Sequence, residues 1–129
     1  NREKIMGVVE VKIGSIMLDI ELNDSETAAK LLSELPIRSR AKRWGDEIYF
    51  TTPVEIDVAS DAKETVEVGD VAFWPPDRAL CLFFGPTPCS SNGEPQAASA
   101  VNLVGKLLGD VSLLSRVTDN CQVEVRVKP

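Results

Sequence analysis

The stretch VAFWPPDRALCLFFGPTPCSSNGEPQ, from Val71 to Gln96, decides the fold. It gathers a Trp, three Phe and five Pro in a chain otherwise poor in aromatic residues. Two short extended segments are legible here, DVAFW, which starts one residue earlier at Asp70, and LCLFF, with Pro75-Pro76-Asp77 between them. Proline fixes φ and lacks an amide proton, so this run ends one strand and turns the chain. Residues 85–99, with three Pro and two Gly, read as a long loop. Loops of that length are usually lids or binding loops.

Neighbouring residues in a strand point to opposite faces. Tyr49 and Phe50, Phe73 and Trp74, and Phe83 and Phe84 must therefore part company. The simplest assignment places Phe50, Phe73 and Phe83 in the core. Tyr49, Trp74, Leu82 and Phe84 then line an outer face. An apolar surface of that extent is either covered, by the helix or the long loop, or it binds something.

The rest of the chain reads as strands with one clear helix. VVEVKI (8–13) and IMLDIEL (16–22) alternate apolar and polar residues around a Gly14-Ser15 turn, the pattern of a hairpin. In NDSETAAKLLSELP, Ala28, Leu31, Leu32 and Leu35 form one helical stripe, with Asp24 or Ser25 as cap and Pro36 as stop. IRSRAKRW is extended, with Arg38, Arg40 and Lys42 on one side. Asp46-Glu47, beside Gly45, reads as a hairpin turn. EIYFTTPVEIDV, TVEV and AVNLVGKLL give further strands, DVSLLSRV a short helix, and CQVEVRV a closing strand with Val123, Val125 and Val127 inward. About eight short strands favour a mainly β fold closed into a barrel, because closure removes exposed edges. A single domain over 1–129 is expected.

Composition narrows the function. The chain of 129 residues carries a net charge of -6, which disfavours nucleic acid as a partner. Its apolar runs are far shorter than the ~20 residues of a membrane-spanning helix. Three widely spaced cysteines do not make a disulfide framework and point to a reducing cytoplasm. There is no histidine, which removes Ser-His and Cys-His nucleophile pairs and the usual zinc sites. Neither a metal nor a cofactor is expected. Cys81 reads as an inert hydrophobe of the core.

Three blocks, RWGDEIYFTTP, GDVAFWPPDRALCLFFGPTP and ASAVNLVGKL, resemble a family of small archaeal and bacterial proteins with a cyclophilin-like fold. The order of elements is also similar to that of true cyclophilins. The resemblance implies a closed eight-stranded cyclophilin-like β-barrel with one or two short capping helices. Cyclophilins are peptidyl-prolyl isomerases. An apolar pocket holds the proline and an arginine donates toward the prolyl nitrogen, weakening the resonance behind a barrier of ~20 kcal/mol. On that resemblance Arg43 is the candidate catalytic residue, and Phe84 matches a pocket phenylalanine. Other positions depart from the isomerase pattern. Tyr49 and Thr51 stand where a glutamine motif is expected, Phe73-Trp74-Pro75 replaces a Met-Ala-Asn run, and the region of Val101 lacks the pocket histidine.

These readings combine into a cytoplasmic binding module for a small molecule or a proline-containing peptide. Tyr49, Thr51, Trp74, Arg78, Leu82 and Phe84 are the candidate ligand-binding residues, with Arg43 as polar anchor. Two alternatives stand beside it: a weak or specialised peptidyl-prolyl isomerase using Arg43, and a scaffold that forms a homodimer through the aromatic face.

Overall fold

A computed structural model describes residues 5–129. The expected hairpin pairs β1 (Ile5–Ile13) with β2 (Ile16–Asn23), and its tight turn places Gly14 at φ 60°. Val9, Val11, Ile13, Leu18, Ile20 and Leu22 are buried, as the alternation requires. The helix α1 (Glu26–Ser33) starts where Ser25 Oγ accepts the amide proton of Ala28 at 3.1 Å, a standard N-cap. Ala28 and Leu31 are buried on its inner stripe.

The chain then enters β3 (Ile37–Arg40) and β4 (Lys42–Trp44), which meet at the buried Ala41. Next come β5 (Glu47–Thr51), β6 (Lys63–Thr65), β7 (Asp70–Trp74) and β8 (Ala79–Phe83), with a 3-10 turn at Pro75–Asp77 between the last two. A long strand, β9 (Gln96–Leu108), a 3-10 helix (Val111–Arg116) and β10 (Gln122–Val127) complete the fold. Val127 is 61% exposed, so the inward alternation expected of the last strand stops at Val125.

Ten strands, rather than eight, form the sheet among the described residues. Their order is β3-β10-β1-β2-β9-β7-β8-β5-β4, with β6 paired to β9. This path is not closed: its ends, β3 and β4, are consecutive in the chain and do not pair with each other. The two flanks approach where Ser39 Oγ, on β3, donates to the Thr51 carbonyl, on β5, at 2.7 Å. The main core includes residues of β1, β2, α1, β5, β7 and β8.

Two further expectations need correction. The first concerns β8. Val71 lies opposite Leu82, and Phe73 opposite Leu80. Opposed residues of an antiparallel pair share a face, so Leu80 and Leu82 enter the main core with Phe50 and Phe73. Phe83 and Cys81 face the other way, into a second cluster with Val66, Ala72, Ala79, Ala97 and Val101. Both phases of LCLFF are apolar, so alternation carried no information about which side is in.

The second correction concerns residues 96–99, read as loop but belonging to β9. The register against β7 shifts between Val71 and Ala72, whose partners are Gly105 and Leu103. One extra residue on β9 makes a bulge there, which bends the strand. Beyond it, the N-terminal half of β9 pairs with β6, Lys63 opposite Val101 and Thr65 opposite Gln96. Residues of β9 thereby cover the outer face of β7 and β8. The remaining loop folds back on the β4–β5 turn. Asp46 N–H donates to the Pro86 carbonyl, and Thr87 is buried and donates to the Gln96 carbonyl.

Candidate functional site

Strand β5 presents Ile48 and Phe50 to the main core and Glu47, Tyr49 and Thr51 to the opposite face. Cross-strand pairing extends that face: Glu47 lies opposite Phe83 on β8 and Trp44 on β4, and Tyr49 opposite Cys81. Trp74 joins it from β7, opposite Ala79. The covering half of β9 is held there in part by the Trp74 indole N–H, which donates to Ser99 Oγ at 2.6 Å.

The cover stops short of β4 and β5. A pocket of about 220 Å³ remains, with Trp44, Glu47, Tyr49, Trp74 and Cys81 on the sheet side. Ala97, Ala98 and Val101 of β9 close the other side. Ala98 is exposed and the aromatic residues half-buried, so the mouth opens to solvent. Most of the lining is apolar, with one carboxyl group in it.

That carboxyl belongs to Glu47, which is 6% exposed. Among the described residues its Oε1 has no hydrogen-bond partner. Burial disfavours the charged form and pushes the acid up to about 7, while the Cys81 thiol alongside works in the opposite direction. The Cys81 thiol is itself pushed up, first by burial and then by the charge of Glu47. It is a poor nucleophile at neutral pH. Burial, and then the charges of Asp77, Glu47, Asp119 and Cys81, raise the Tyr49 phenol as well. An unsatisfied buried acceptor costs about 1–3 kcal/mol, a cost that a donor entering the pocket would relieve.

Of the residues singled out in the sequence, Tyr49 and Trp74 meet in this pocket. The others lie elsewhere. Arg43 is bound up with the fold: Nε donates to the Gly45 carbonyl at 2.9 Å, and Nη1 to the Ser115 and Val117 carbonyls at 2.8 and 3.2 Å. Its Nη2 reaches Asp46 Oδ1 at 3.2 Å, and the guanidinium sits 5.0 Å from the centre of the Phe84 ring. Phe84 packs against the main core, and Leu82, expected on the outer face, lies inside that core. Thr51 Oγ1 donates to Asp77 Oδ2 at 3.3 Å. Arg78 adopts a left-handed conformation at φ 50° after the 3-10 turn and pairs with Glu55 at 2.6 Å.

Sequence reasoning missed Glu47 and Trp44. Glu47 reads as part of a turn with Gly45-Asp46 and also as the start of the extended run EIYFTTPVEIDV; it is the first residue of β5. Its parity with Tyr49 was the available signal. Among the described residues no group of three or more Cys, Asp or Glu is placed to hold a metal, and no helix is long and apolar enough to cross a membrane.

The family model described as cyclophilin-like matches residues 7–126, and the chain belongs to that family. Its fold is similar to the solution structure of the hypothetical protein AF2241 from Archaeoglobus fulgidus. The two are 39% identical with a TM-score of 0.83, over 99% of this chain and 98% of the other. No curated protein matches the sequence.

Proposed function

We propose that this chain is a binding module, and that its ligand enters the pocket between β4, β5, β7, β8 and the covering half of β9. The observation that carries the reading is Glu47 Oε1, a buried acceptor without a partner in an otherwise apolar, aromatic-lined cleft. Sites of this kind pair apolar walls with a few placed polar groups that fix orientation. Tyr49 and Trp74 keep the contact roles expected of them. Glu47 replaces Arg43 as the polar anchor, since the donors of Arg43 are directed at main-chain carbonyls and Asp46. A cavity of about 150 Å³ accepts benzene, and drug-sized sites begin at about 300 Å³. The pocket, at about 220 Å³, therefore suits a single-ring molecule or one residue of a proline-containing peptide.

Titration of labelled protein with a library of single-ring fragments, followed by amide and indole NMR shifts, tests the reading. Shifts should centre on the Trp44 and Trp74 indoles and on the amides of Ala97, Ala98 and Val101. Shifts centred on Arg43 and Phe84 instead, or none at all, would overturn it.

A further inference from the structure

The lining of the pocket also defines the charge of its ligand. Glu47 is the only acid among the lining residues, and neither Lys nor Arg is among them. Lys42, opposite Tyr49 on β4, is exposed and lies outside the lining. Asp46, next to Glu47 in the chain, is paired with Arg43. Among the described residues the carboxyl group therefore has no cation of its own. Three aromatic residues, Trp44, Tyr49 and Trp74, share the cavity with it. Aromatic rings attract cations through the negative potential of their faces, Trp most strongly. A neutral donor would satisfy Oε1 but leave an ionised carboxylate buried without a counter-charge, which is costly. A cation with an N–H answers both needs. The net charge of -6 also favours the approach of cations over anions.

We propose that the pocket selects a protonated amine on a compact apolar group, with an N–H on Glu47 Oε1 and the charge against the rings of Trp44, Tyr49 and Trp74. The inference rests on the binding-module reading and adds the ligand's chemical class to it. Binding is coupled to a proton. The titratable groups that face Glu47 are Cys81 on β8 and Tyr49 on β5, and both are shifted toward their neutral forms at pH 7. The acid of Glu47, held at about 7, is partly protonated at neutral pH when the pocket is empty. As the ammonium enters, Glu47 gives its proton to solvent, the ammonium keeps its own, and the two opposite charges pair.

Benzylamine and benzyl alcohol serve as matched probes: both carry a donor on the same ring and they differ in charge. Isothermal titration of the unmodified protein near pH 8 should show benzylammonium binding at least about tenfold tighter than the alcohol. Its affinity should fall by up to about tenfold per pH unit below the acid's midpoint, while the alcohol's does not. Titrations near pH 7 in buffers of different ionisation enthalpy should show about half a proton released per benzylammonium bound. In Glu47→Gln the preference for the amine over the alcohol should shrink to about twofold or less.

Equal affinity for the two probes near pH 8 overturns the amine inference and leaves the binding-module reading standing. An alcohol affinity that itself rises as the pH falls through the acid's midpoint also overturns it, because Glu47 would then act as a neutral donor. If neither probe binds while other neutral fragments shift the Trp44 and Trp74 indoles, the amine inference alone falls; if nothing binds there, both fall. The unmodified protein decides each of these outcomes, so the inference does not depend on the variant folding.

Discussion

Replacing Glu47 by Gln should change the pH dependence of stability in a direction opposite to that of an ordinary surface carboxylate. The buried acid is raised from 4.5 to about 7. Below 4.5 the group is protonated in both folded and unfolded chains, and it contributes nothing to the pH dependence. Between 4.5 and about 7 the unfolded chain releases the proton while the folded chain retains it, so rising pH favours unfolding. Above that range both states are ionised and the full penalty stands. A shift from 4.5 to about 7, at about 1.4 kcal/mol per pH unit, amounts to about 3 kcal/mol. The glutamine variant lacks this term. Its amide has its own cost in the pocket, about 1–3 kcal/mol if its donors find no partner, but that cost does not vary with pH. The difference in stability between variant and wild type should therefore move by about 3 kcal/mol in favour of the variant between about pH 4 and about pH 8. Urea unfolding across that range, with the slope against denaturant checked for constancy, gives the difference directly. Thermal midpoints should converge or cross by roughly 10 °C over the same interval. Parallel profiles for the two proteins would show that Glu47 has an ordinary acidity, and with it the account of a buried, unpartnered carboxyl would fail.

Arg43→Ala should lower stability by about 2–4 kcal/mol in urea unfolding, since it removes four hydrogen bonds and the contact over Phe84. Arg43→Lys should recover less than half of that loss, because an ammonium cannot serve the same set of acceptors in a plane. Gly105→Ala should lower stability by about 2 kcal/mol or more, because its methyl group would run into the Glu21 carbonyl of β2. Ser99→Ala, which leaves the Trp74 indole N–H without its partner, should cost about 1 kcal/mol and speed hydrogen exchange in the covering half of β9 more than in β1 or β2. A protease-coupled prolyl isomerisation assay should show no rate above background at high protein concentration. Acceleration abolished by Arg43→Lys, in a variant that remains folded, would restore the isomerase reading.

The parts of the fold that sequence revealed are those with one wet face and one dry face. The β1–β2 hairpin alternates because one side meets the core and the other meets water, and Ser25 announces the start of α1 through its side-chain chemistry. The misreading of β8 comes from burial on both sides. In β8 every residue from Ala79 to Phe83 is buried, so no pattern separated Leu82 from Phe83. The pairing of β7 with β8 settles the matter, and it is a long-range fact. The start of β9 was hidden by its composition, because Gln96-Ala97-Ala98-Ser99 has neither β-branched residues nor alternation and follows Pro95. Glu47 was obscured by its neighbours, since Gly45-Asp46 is a strong turn signal and the carboxylate beside it looked like part of the same polar run. Tyr49 and Trp74 were found because adjacent aromatic residues in a strand must divide between faces, whichever face proves to be the core.

The pocket exists because the outer face is covered by a strand rather than by a helix. The bulge between Val71 and Ala72 redirects β9 so that Ala97 and Val101 lie over Cys81 and Phe83. Small residues at Ala97 and Ala98 let the strand pass close to the sheet, yet they leave unfilled the volume that Leu or Ile would occupy there. The loop that follows β8 is not among the residues that line it; Asp46 N–H holds the loop at the β4–β5 turn through the Pro86 carbonyl. Trp44, Tyr49 and Trp74 are thus left with apolar surface on one side and open volume on the other. Filling that volume from within with an apolar side chain would exclude a ligand, while leaving Glu47 Oε1 without a donor. Ala98→Leu, on the exposed rim, should therefore lower affinity for every ring-bearing probe while keeping or raising stability, a trade that separates a binding cavity from a packing defect. A variant that gains stability and still binds benzylamine at the unmodified affinity would place the amine somewhere other than this pocket.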